Sequence, residues 1–376
     1  MNSVIEAFII LAVVWLAASL IIRRYRGGRL QVYPFLVILH LYSLQSVFDR
    51  ILSASPRLWR IVSRIAVIAG FGMMFFAFYL LSNNLSTYLF RPAEASIHNV
   101  VLPLIPGITI KPQNLPYLLI ALVIVLATHE GMHGVVARLE GIPVKSSGVF
   151  LAFVFPGGFV QPDEKAFKSA SPGARMRIAA AGSFANLFIG LVAVACLLSF
   201  FTMAETGLYV SETDAGSVVQ VGEVVKSIDD MPVRSSTIMK TITLRPEIKL
   251  ETDRGERVYS VDPKHVGREM SLASVLRSLG VADVEPFVQA RFDSPPFISQ
   301  AVFKVFFWLQ LVSLGVAVFN MLPIKMLDGE LMLRSLLERV GFRHVNPAIY
   351  YLSGLSIALL VANMGLSYGR FGLVSF

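Results

Sequence analysis

The sequence predicts an α-helical polytopic membrane protein with about six transmembrane helices, a re-entrant apolar loop and an inserted small β-rich domain. Three observations support this fold class. Hydrophobic residues make up 55% of the 376 residues and charged residues only 15%, which is too apolar for an ordinary soluble protein. Apolar runs of membrane-spanning length recur along the chain. Of the 25 acidic residues, 15 lie between Glu205 and Asp293, so this segment has the composition of a soluble domain.

Six apolar segments approach the length needed to cross a hydrocarbon core of about 30 Å. They are residues 5–22, 65–81, 116–138, 178–201, 298–322 and 348–364. The run 32–44 is too short to cross and is expected to be interfacial or re-entrant. The run 148–160 is apolar but interrupted by Pro156, Gly157 and Gly158. This pattern predicts a loop or hairpin at membrane depth, lined by protein or by a water-filled cavity.

Basic residues predict the orientation of these segments. Four arginines directly follow the first span, namely Arg23, Arg24, Arg26 and Arg29. Because basic clusters favour cytoplasmic loops, we expect both termini and the acidic insertion to lie outside the cytoplasm. A cleaved signal peptide is the other interpretation of the first span, but its basic cluster would precede the apolar run. The formal net charge of +8 therefore reflects topology and provides no basic face for a nucleic acid.

These features divide the chain into four predicted parts. They are an N-terminal two-span region with an interfacial segment (1–114), a membrane core (115–204), an extracytoplasmic β-rich domain (205–295) and a second membrane core (296–376). Within the β-rich part, strand-like alternation occurs at 207–210, 222–228 and 248–252, and turn signals occur at 229–232 and 254–255. The single cysteine, Cys196, excludes an intramolecular disulfide framework and a cysteine-based zinc site.

A two-histidine motif lies at the end of the third predicted span. It reads Thr128-His129-Glu130-Gly131-Met132-His133-Gly134. On a helix, His129 and His133 lie one turn apart on the same face, so both imidazoles can reach one Zn²⁺. Glu130 beside them can deprotonate a metal-bound water as a general base. In a soluble chain such a match can be a plain surface helix, but titratable residues inside an apolar span mark function.

A catalytic zinc site needs a third protein ligand and leaves a fourth position for water. Asp328 is the best candidate, because it lies at the end of an apolar helix and at the same predicted membrane depth as His129. Gly329 follows it and allows close approach of the backbone. Glu330 is a competitor but is interpreted as a cytoplasmic surface carboxylate. The remaining histidines have no partner at ligand spacing; they are His40, His98, His265 and His344.

The order of two motifs resembles the site-two protease family of intramembrane zinc metalloproteases. His-Glu-x-x-His lies on one predicted span, Asn-x-x-Pro-x-x-x-x-Asp-Gly lies on a later one, and an insertion that resembles a PDZ domain lies between them. The resemblance covers residues 115–332. It implies a zinc-dependent endopeptidase that hydrolyses peptide bonds within transmembrane segments of single-span proteins, as in regulated intramembrane proteolysis.

The resemblance also implies a role for each motif residue. One Zn²⁺ would be bound by His129, His133 and Asp328, with Glu130 as the general base. Asn320 would hold the substrate carbonyl or its oxyanion, and helix packing is its other interpretation. The implied substrate-binding residues are Gly157, Gly158, Phe159, Val160 and Asn186. Two alternatives to substrate binding stay open: Gly157 and Gly158 could form a simple turn, and Asn186 could serve in helix packing.

Asn186 belongs to a second family pattern, Gly-Pro-x-x-Asn, at the start of the fourth span. This chain reads Gly182-Ser183-Phe184-Ala185-Asn186, so that a serine replaces the proline of the family. The small residues Ala179 to Ser183 are expected to let another helix approach closely.

The expected partners are transmembrane segments of single-span substrates, the lipid bilayer and a peptide ligand of the PDZ-like domain. That domain could instead be a spacer or size filter above the active site. The alternative function is a proteolytically inactive PDZ-bearing scaffold or receptor with a structural metal site, although such a site more often closes the fourth metal position. A metal transporter is a third interpretation. It would need polar residues along the whole pathway across the membrane, and these are missing on the outer side. The chain is expected in a prokaryotic plasma membrane, with the active site toward the cytoplasmic leaflet.

Overall fold

The computed structural model describes residue 17 and residues 29–372, except residues 34, 42, 43, 106, 153 and 154. The first predicted span, 5–22, lies outside the described residues apart from residue 17, and it stays a prediction. The described residues divide into two compact units, one within 1–191 and 309–376 and the other within 192–308. The second unit includes the predicted insertion 205–295 and extends on both sides of it.

Five of the six predicted spans fall on long helices. In chain order the helices are α1 (Gln45–Ala54), α2 (Pro56–Phe90), α3 (Leu115–Leu139), α4 (Glu164–Ser169), α5 (Pro172–Phe200), α6 (Leu272–Ser278), α7 (Pro296–Phe319), α8 (Asp328–Arg339) and α9 (Val345–Phe371). Within the described residues, five of them, α2, α3, α5, α7 and α9, are long and apolar enough to cross a membrane. Helices α2, α5 and α7 begin at a proline, whose missing N–H has no helical partner to lose at this position.

The two short apolar runs form one antiparallel sheet. Its strands are β1 (Leu30–Tyr33), β2 (Leu36–Leu41), β3 (Val144–Ala152) and β4 (Phe155–Pro162), in the order β1-β2-β3-β4. The run 148–160 is therefore a hairpin, one of the two conformations expected for it. The run 32–44, expected to be interfacial or re-entrant, supplies most of a second hairpin that pairs with β3. The membrane depth of both runs stays a prediction.

The second unit contains a β-rich core. Its main sheet has the order β10-β9-β6-β5-β12, with β7 paired to β6, and a separate pair joins β8 to β11. The strands are β5 (Phe201–Thr213), β6 (Val224–Ile228), β7 (Met231–Pro232), β8 (Thr241–Thr243), β9 (Glu247–Thr252), β10 (Gly255–Ser260), β11 (Glu269–Ser271) and β12 (Val281–Ala290). Both predicted turns are present. Asp229 and Asp230 have φ values of 48° and 64° between β6 and β7, as a two-residue hairpin turn requires.

Small and flexible side chains bring α8 against the spanning helices of the first unit. Ala66, Ala180, Ala317 and Met332, from α2, α5, α7 and α8, lie in one buried cluster. A β-carbon at Gly70 of α2 would lie 2.8 Å from the sulfur of Met332, so this contact depends on the absence of a side chain. Because α8 begins at Asp328, this packing determines where that carboxylate lies.

Charged groups hold α3, α5 and α8 together at one end. Arg177 of α5 donates two hydrogen bonds of 2.7 Å to the Glu140 carboxylate, which directly follows α3. Arg175, also on α5, donates a 2.6 Å bond to Glu338 near the end of α8. Charge-assisted and bidentate pairs of this kind add geometric specificity as well as energy. These ion pairs join the three helices near the two-histidine motif.

Candidate metal centre

Three side chains present one ligand atom each to a common point. His129 Nε2, His133 Nε2 and Asp328 Oδ2 lie 3.2 Å from one another in every pairing. Four ligands around a tetrahedral zinc at 2.0–2.1 Å are separated by about 3.3 Å. The triangle therefore fits three corners of a zinc tetrahedron and leaves the fourth corner for water or substrate. His129 is buried, and the other two residues are half-buried.

The third candidate ligand reaches this point from an element that the sequence did not predict. Asp328 was expected at the end of an apolar helix, and this placement was wrong. Helix α7 ends at Phe319, a connection follows, and Asp328 is the first residue of the short helix α8. Gly329 permits the close backbone approach expected of it, since its N–H donates a 3.0 Å hydrogen bond to the Asn320 carbonyl. The competitor Glu330 instead accepts a 2.7 Å bond from Arg334.

The ring of His133 is oriented by the backbone of α5. Its Nδ1 lies 2.7 Å from the carbonyl oxygen of Ile178. A carbonyl can only accept, so Nδ1 carries the proton and Nε2 keeps a free lone pair. This is the tautomer in which a histidine can bind a metal through Nε2.

The ring of His129 is oriented by Asn186, which is fully buried on α5. The amide nitrogen lies 2.9 Å from His129 Nδ1, and the amide oxygen lies 3.3 Å from Thr128 Oγ1. The Thr128 hydroxyl donates its proton to the Ile124 carbonyl at 2.8 Å, so toward Asn186 it acts as an acceptor. A half-turn of the amide, which exchanges its oxygen and nitrogen, satisfies the whole network with Nδ1 protonated. His129 Nε2 is then free for a metal, and this placement favours a positioning role for Asn186 over substrate contact.

Replacing Asn186 by leucine is expected to weaken zinc binding by about 10- to 100-fold, the usual cost of losing a hydrogen bond behind a metal-bound histidine. Leucine has the same branched outline as asparagine, although its methyl groups are larger, and it cannot accept the Nδ1 proton. Competition with a chelator of known affinity measures the change. Asn186→Asp is the matched control, because a carboxylate keeps the acceptor. An unchanged zinc affinity in Asn186→Leu would contradict the positioning role.

Asn320 lies within the cluster of ligand atoms. Its Nδ2 donates a 2.7 Å hydrogen bond to Asp328 Oδ2 and lies 3.2 Å from His129 Nε2. The residue is the first after α7, so the end of that helix points its amide at the centre. In this arrangement the amide stabilises the aspartate ligand, and its contact with a substrate carbonyl stays a prediction.

Glu130 connects the metal centre to the hairpin of β3 and β4. Its Oε2 accepts a 2.9 Å hydrogen bond from the backbone N–H of Val160. A β-carbon at Gly158 would lie 3.0 Å from Glu130 Cγ, so the side chain runs closely along β4. Gly157 instead packs under the ring of Phe150, and the Phe159 ring packs over Gly148. Of the four predicted hairpin residues, Gly158 and Val160 therefore contact the base.

A cavity of about 450 Å³ joins these groups. Its lining includes His129, Glu130, His133, Val160, Asn320 and Asp328. The cavity thus brings together three metal-ligand candidates, one carboxylate suited to general-base chemistry and one donor amide. This set can support attack of a metal-activated water on a carbonyl.

Sequence reasoning did not identify Gly182 as part of the centre. A β-carbon at Gly182 would lie 2.5 Å from His133 Nε2 and 2.8 Å from His129 Nε2. The run of small residues from Ala179 to Ser183 predicted a close approach to α5, but it did not show that the approaching groups are the imidazoles. No residue type or motif in the sequence indicated that the Ile178 carbonyl would contact His133.

Comparison with known proteins agrees with this geometry. Residues 117–362 match peptidase family M50. An uncharacterized protein of Methanocaldococcus jannaschii is 30% identical in an alignment of 278 residues, and the alignment covers 70% of this chain and 67% of that protein. The membrane-bound transcription factor site-2 protease homolog of Arabidopsis thaliana is 33% identical over 98 residues, which are 26% of this chain and 18% of the homolog. The range that matches the family contains all three candidate ligands.

Proposed function

This chain belongs to peptidase family M50, and from that premise we propose that it is a zinc-dependent intramembrane endopeptidase. It would hydrolyse peptide bonds within the transmembrane segments of single-span membrane proteins. The observation that carries the proposal is the 3.2 Å triangle of His129, His133 and Asp328, which adjoins Glu130 in one cavity. The same triangle supports zinc as the metal, because its dimensions and its N,N,O donor set suit a tetrahedral site with one open position.

Each residue around the cavity has a separate role in the proposed hydrolysis. His129, His133 and Asp328 would hold the zinc, which would supply Lewis acidity toward a carbonyl oxygen and would lower the pKa of a water molecule. Glu130 accepts the proton of the attacking water and then transfers it to the leaving amine nitrogen. Asn320 has a side-chain N–H that can stabilise negative charge on the carbonyl oxygen during attack. Asn186 holds the His129 ring in place throughout.

The hairpin of β3 and β4 supplies a place for the unwound substrate. A peptide bond in a helix is shielded because its carbonyl is hydrogen-bonded within the helix, so the segment must become extended before attack. An extended segment needs new partners for its backbone, and strand addition to β4 provides them. Gly158 and Val160 lie on β4 where it meets Glu130.

The orientation of the centre is also part of the proposal. Arg138, Arg175 and Arg177 lie at the end of α3 and α5 that is close to the centre. Since basic residues favour the cytoplasmic side, this end faces the cytoplasm, and both termini and the β-rich unit lie outside. The proposed location is a prokaryotic plasma membrane, with the lipid bilayer around the spanning helices.

The β-rich unit offers a separate place for a peptide. Strand β12 is at an edge of the main sheet, and a cavity of about 340 Å³ lies between it and α6. Ala273, Ser274 and Arg277 line the helix side, and Ala282 and Val284 line the strand side. An exposed strand edge beside a helix is the geometry by which PDZ domains bind a peptide. We infer that this cavity would receive such a ligand.

Glu130→Gln tests the proposed function. The variant is expected to keep its zinc and to lose at least about 100-fold in the rate of cleavage, because glutamine cannot accept the proton of water. Zinc is measured by elemental analysis, and cleavage is measured on a reconstituted single-span substrate. Glu330→Gln is the control and should change neither quantity, since Glu330 is paired with Arg334 on α8.

Full cleavage by Glu130→Gln would refute the assignment of the base. A wild-type protein that binds zinc but cleaves no membrane substrate would favour the scaffold or receptor with a structural metal site. The two measurements therefore separate the enzyme from its rival.

A further inference from the structure

The strand next to the metal centre has a free edge with few donors. Within the described residues, β4 pairs with β3 on one side and with no strand on the other. The Val160 N–H points to the free side, since it donates to Glu130. Alternate residues of a strand point their N–H groups the same way, so Gly158 shares this side, whereas Pro162 would be next and has no N–H. The free edge near the centre therefore offers the amides of Gly158 and Val160.

Glu130 covers this edge. Its carboxylate accepts the Val160 N–H at 2.9 Å. Its Cγ lies where a side chain at Gly158 would be, 3.0 Å from the position of that β-carbon. The group expected to act on water is thus bound along the strand with which a substrate would pair. A substrate strand and this side chain cannot occupy the edge together.

We propose that the main chain of the substrate competes with the Glu130 carboxylate for the Val160 amide, so that pairing of the substrate releases the base. This inference rests on the proposed function. The ligand is an extended peptide whose carbonyl oxygen replaces the carboxylate oxygen as the acceptor of the Val160 N–H. The released Glu130 is then free to accept a proton inside the cavity, where it lies beside the three candidate ligands. A segment that is still helical has no free carbonyl to offer and leaves the base bound.

An apolar pocket makes the exchange selective. One hydrogen bond to a peptide carbonyl is weaker than one to a carboxylate, so the substrate must gain further contacts. A pocket of about 650 Å³ lies over one face of this sheet and includes Glu130, Gly158 and Val160 in its lining. Apolar side chains of β2, β3 and α3, such as Leu39, Phe150 and Leu126, complete it. Apolar residues of an unwound membrane segment can fill this space, and those of a polar peptide cannot.

The test measures binding on the full-length, zinc-loaded protein in detergent. The probe is a fluorescent synthetic peptide of about 20 apolar residues, the length of one membrane span. Glu130→Ala is expected to bind it about tenfold more tightly than the wild type, because the competitor for the Val160 amide is gone. Glu130→Gln keeps a weaker acceptor and should be intermediate. Hydrogen–deuterium exchange of the β4 segment should become faster in Glu130→Ala.

A double-mutant cycle tests whether the Val160 N–H is the donor for which Glu130 and the peptide compete. Val160→Pro removes the N–H that points away from β3, a loss that an edge strand tolerates, and it replaces one partly buried apolar side chain by another. If the two groups compete, the gain from Glu130→Ala disappears in the Val160→Pro background, so the two effects do not add. Glu330→Ala, which removes a carboxylate elsewhere, should leave the peptide affinity unchanged.

Two results would overturn the competition. One is a peptide affinity of Glu130→Ala and Glu130→Gln equal to or weaker than that of the wild type while zinc is retained. The other is a tenfold gain that survives in Val160→Pro. Binding and exchange need no cleavage, so an inactive wild type would refute the proposed function alone. A wild type that cleaves, with unchanged affinity in Glu130→Ala, would refute the competition alone.

Discussion

Gly182→Ala is expected to weaken zinc binding more than about 100-fold and to reduce cleavage with it. The added β-carbon would lie 2.5 Å from His133 Nε2 and 2.8 Å from His129 Nε2, where ordinary contacts begin near 3.4 Å. These are the two atoms that would bind the metal. Neither ring can move away easily, because the Ile178 carbonyl is hydrogen-bonded to His133 and Asn186 is hydrogen-bonded to His129. Zinc affinity should fall by more than about 100-fold, beyond the cost of losing one supporting hydrogen bond.

Gly173→Ala is the matched control for this prediction. Gly173 is on the same helix, and the atoms nearest to its added β-carbon are at ordinary contact distance, 3.5 Å or more. Alanine favours a helix over glycine by about 1 kcal/mol, so a loss in Gly182→Ala cannot come from helix propensity. Zinc per chain and the melting temperature are measured for both variants. A Gly182→Ala protein that retains one zinc per chain would contradict the close contact with the imidazoles.

Gly329→Ala is expected to remove the third ligand by displacing the start of α8. The β-carbon would lie 2.1 Å from the Met321 carbonyl oxygen and 2.5 Å from that of Leu322. Both contacts are with backbone, and Met321 and Leu322 are themselves buried, so no flexible group can give way. Asn320 would shift as well, since its carbonyl accepts the Gly329 N–H. Overpacking of this kind costs about 1–3 kcal/mol or more, so stability should fall together with zinc content.

Gly315→Ala is the control for the second prediction. Gly315 lies on α7, one turn before its end, and no described atom lies within 4 Å of its added β-carbon. This variant should keep its zinc and its cleavage rate, and its melting temperature should not fall, since alanine favours a helix. A Gly329→Ala protein with normal zinc content and an unchanged melting temperature would show that the connection into α8 can relax.

The helices and the histidine pair were predictable because their signals are local. Crossing a hydrocarbon core requires a continuous apolar run, and five such runs became long helices near the expected positions. Helical periodicity alone places His129 and His133 on one face. The turn at Asp229 and Asp230 was likewise readable from neighbouring residues.

The secondary structure of the short apolar runs 32–44 and 148–160 could not be assigned from local signals. A run of about this length is ambiguous between a strand and a buried helix when only its own residues are considered. Residues 36–41 became a strand because they pair with residues 147–152, more than one hundred positions later. Asp328 does lie beside the two histidines, but it was expected at the end of the apolar helix, and no local pattern showed that it begins the separate helix α8.

By itself, the sequence determined that this is a membrane protein with two histidines on one helix face and a glutamate beside them, because composition and helical spacing need no knowledge of distant contacts. Only the tertiary structure decided which groups surround them. It brought Asp328 to within 3.2 Å of both imidazoles, placed Gly182 against them and bound Glu130 to Val160. Those contacts join residues far apart in the chain, and they exist only because packing of the helices and the hairpin brings their backbones together.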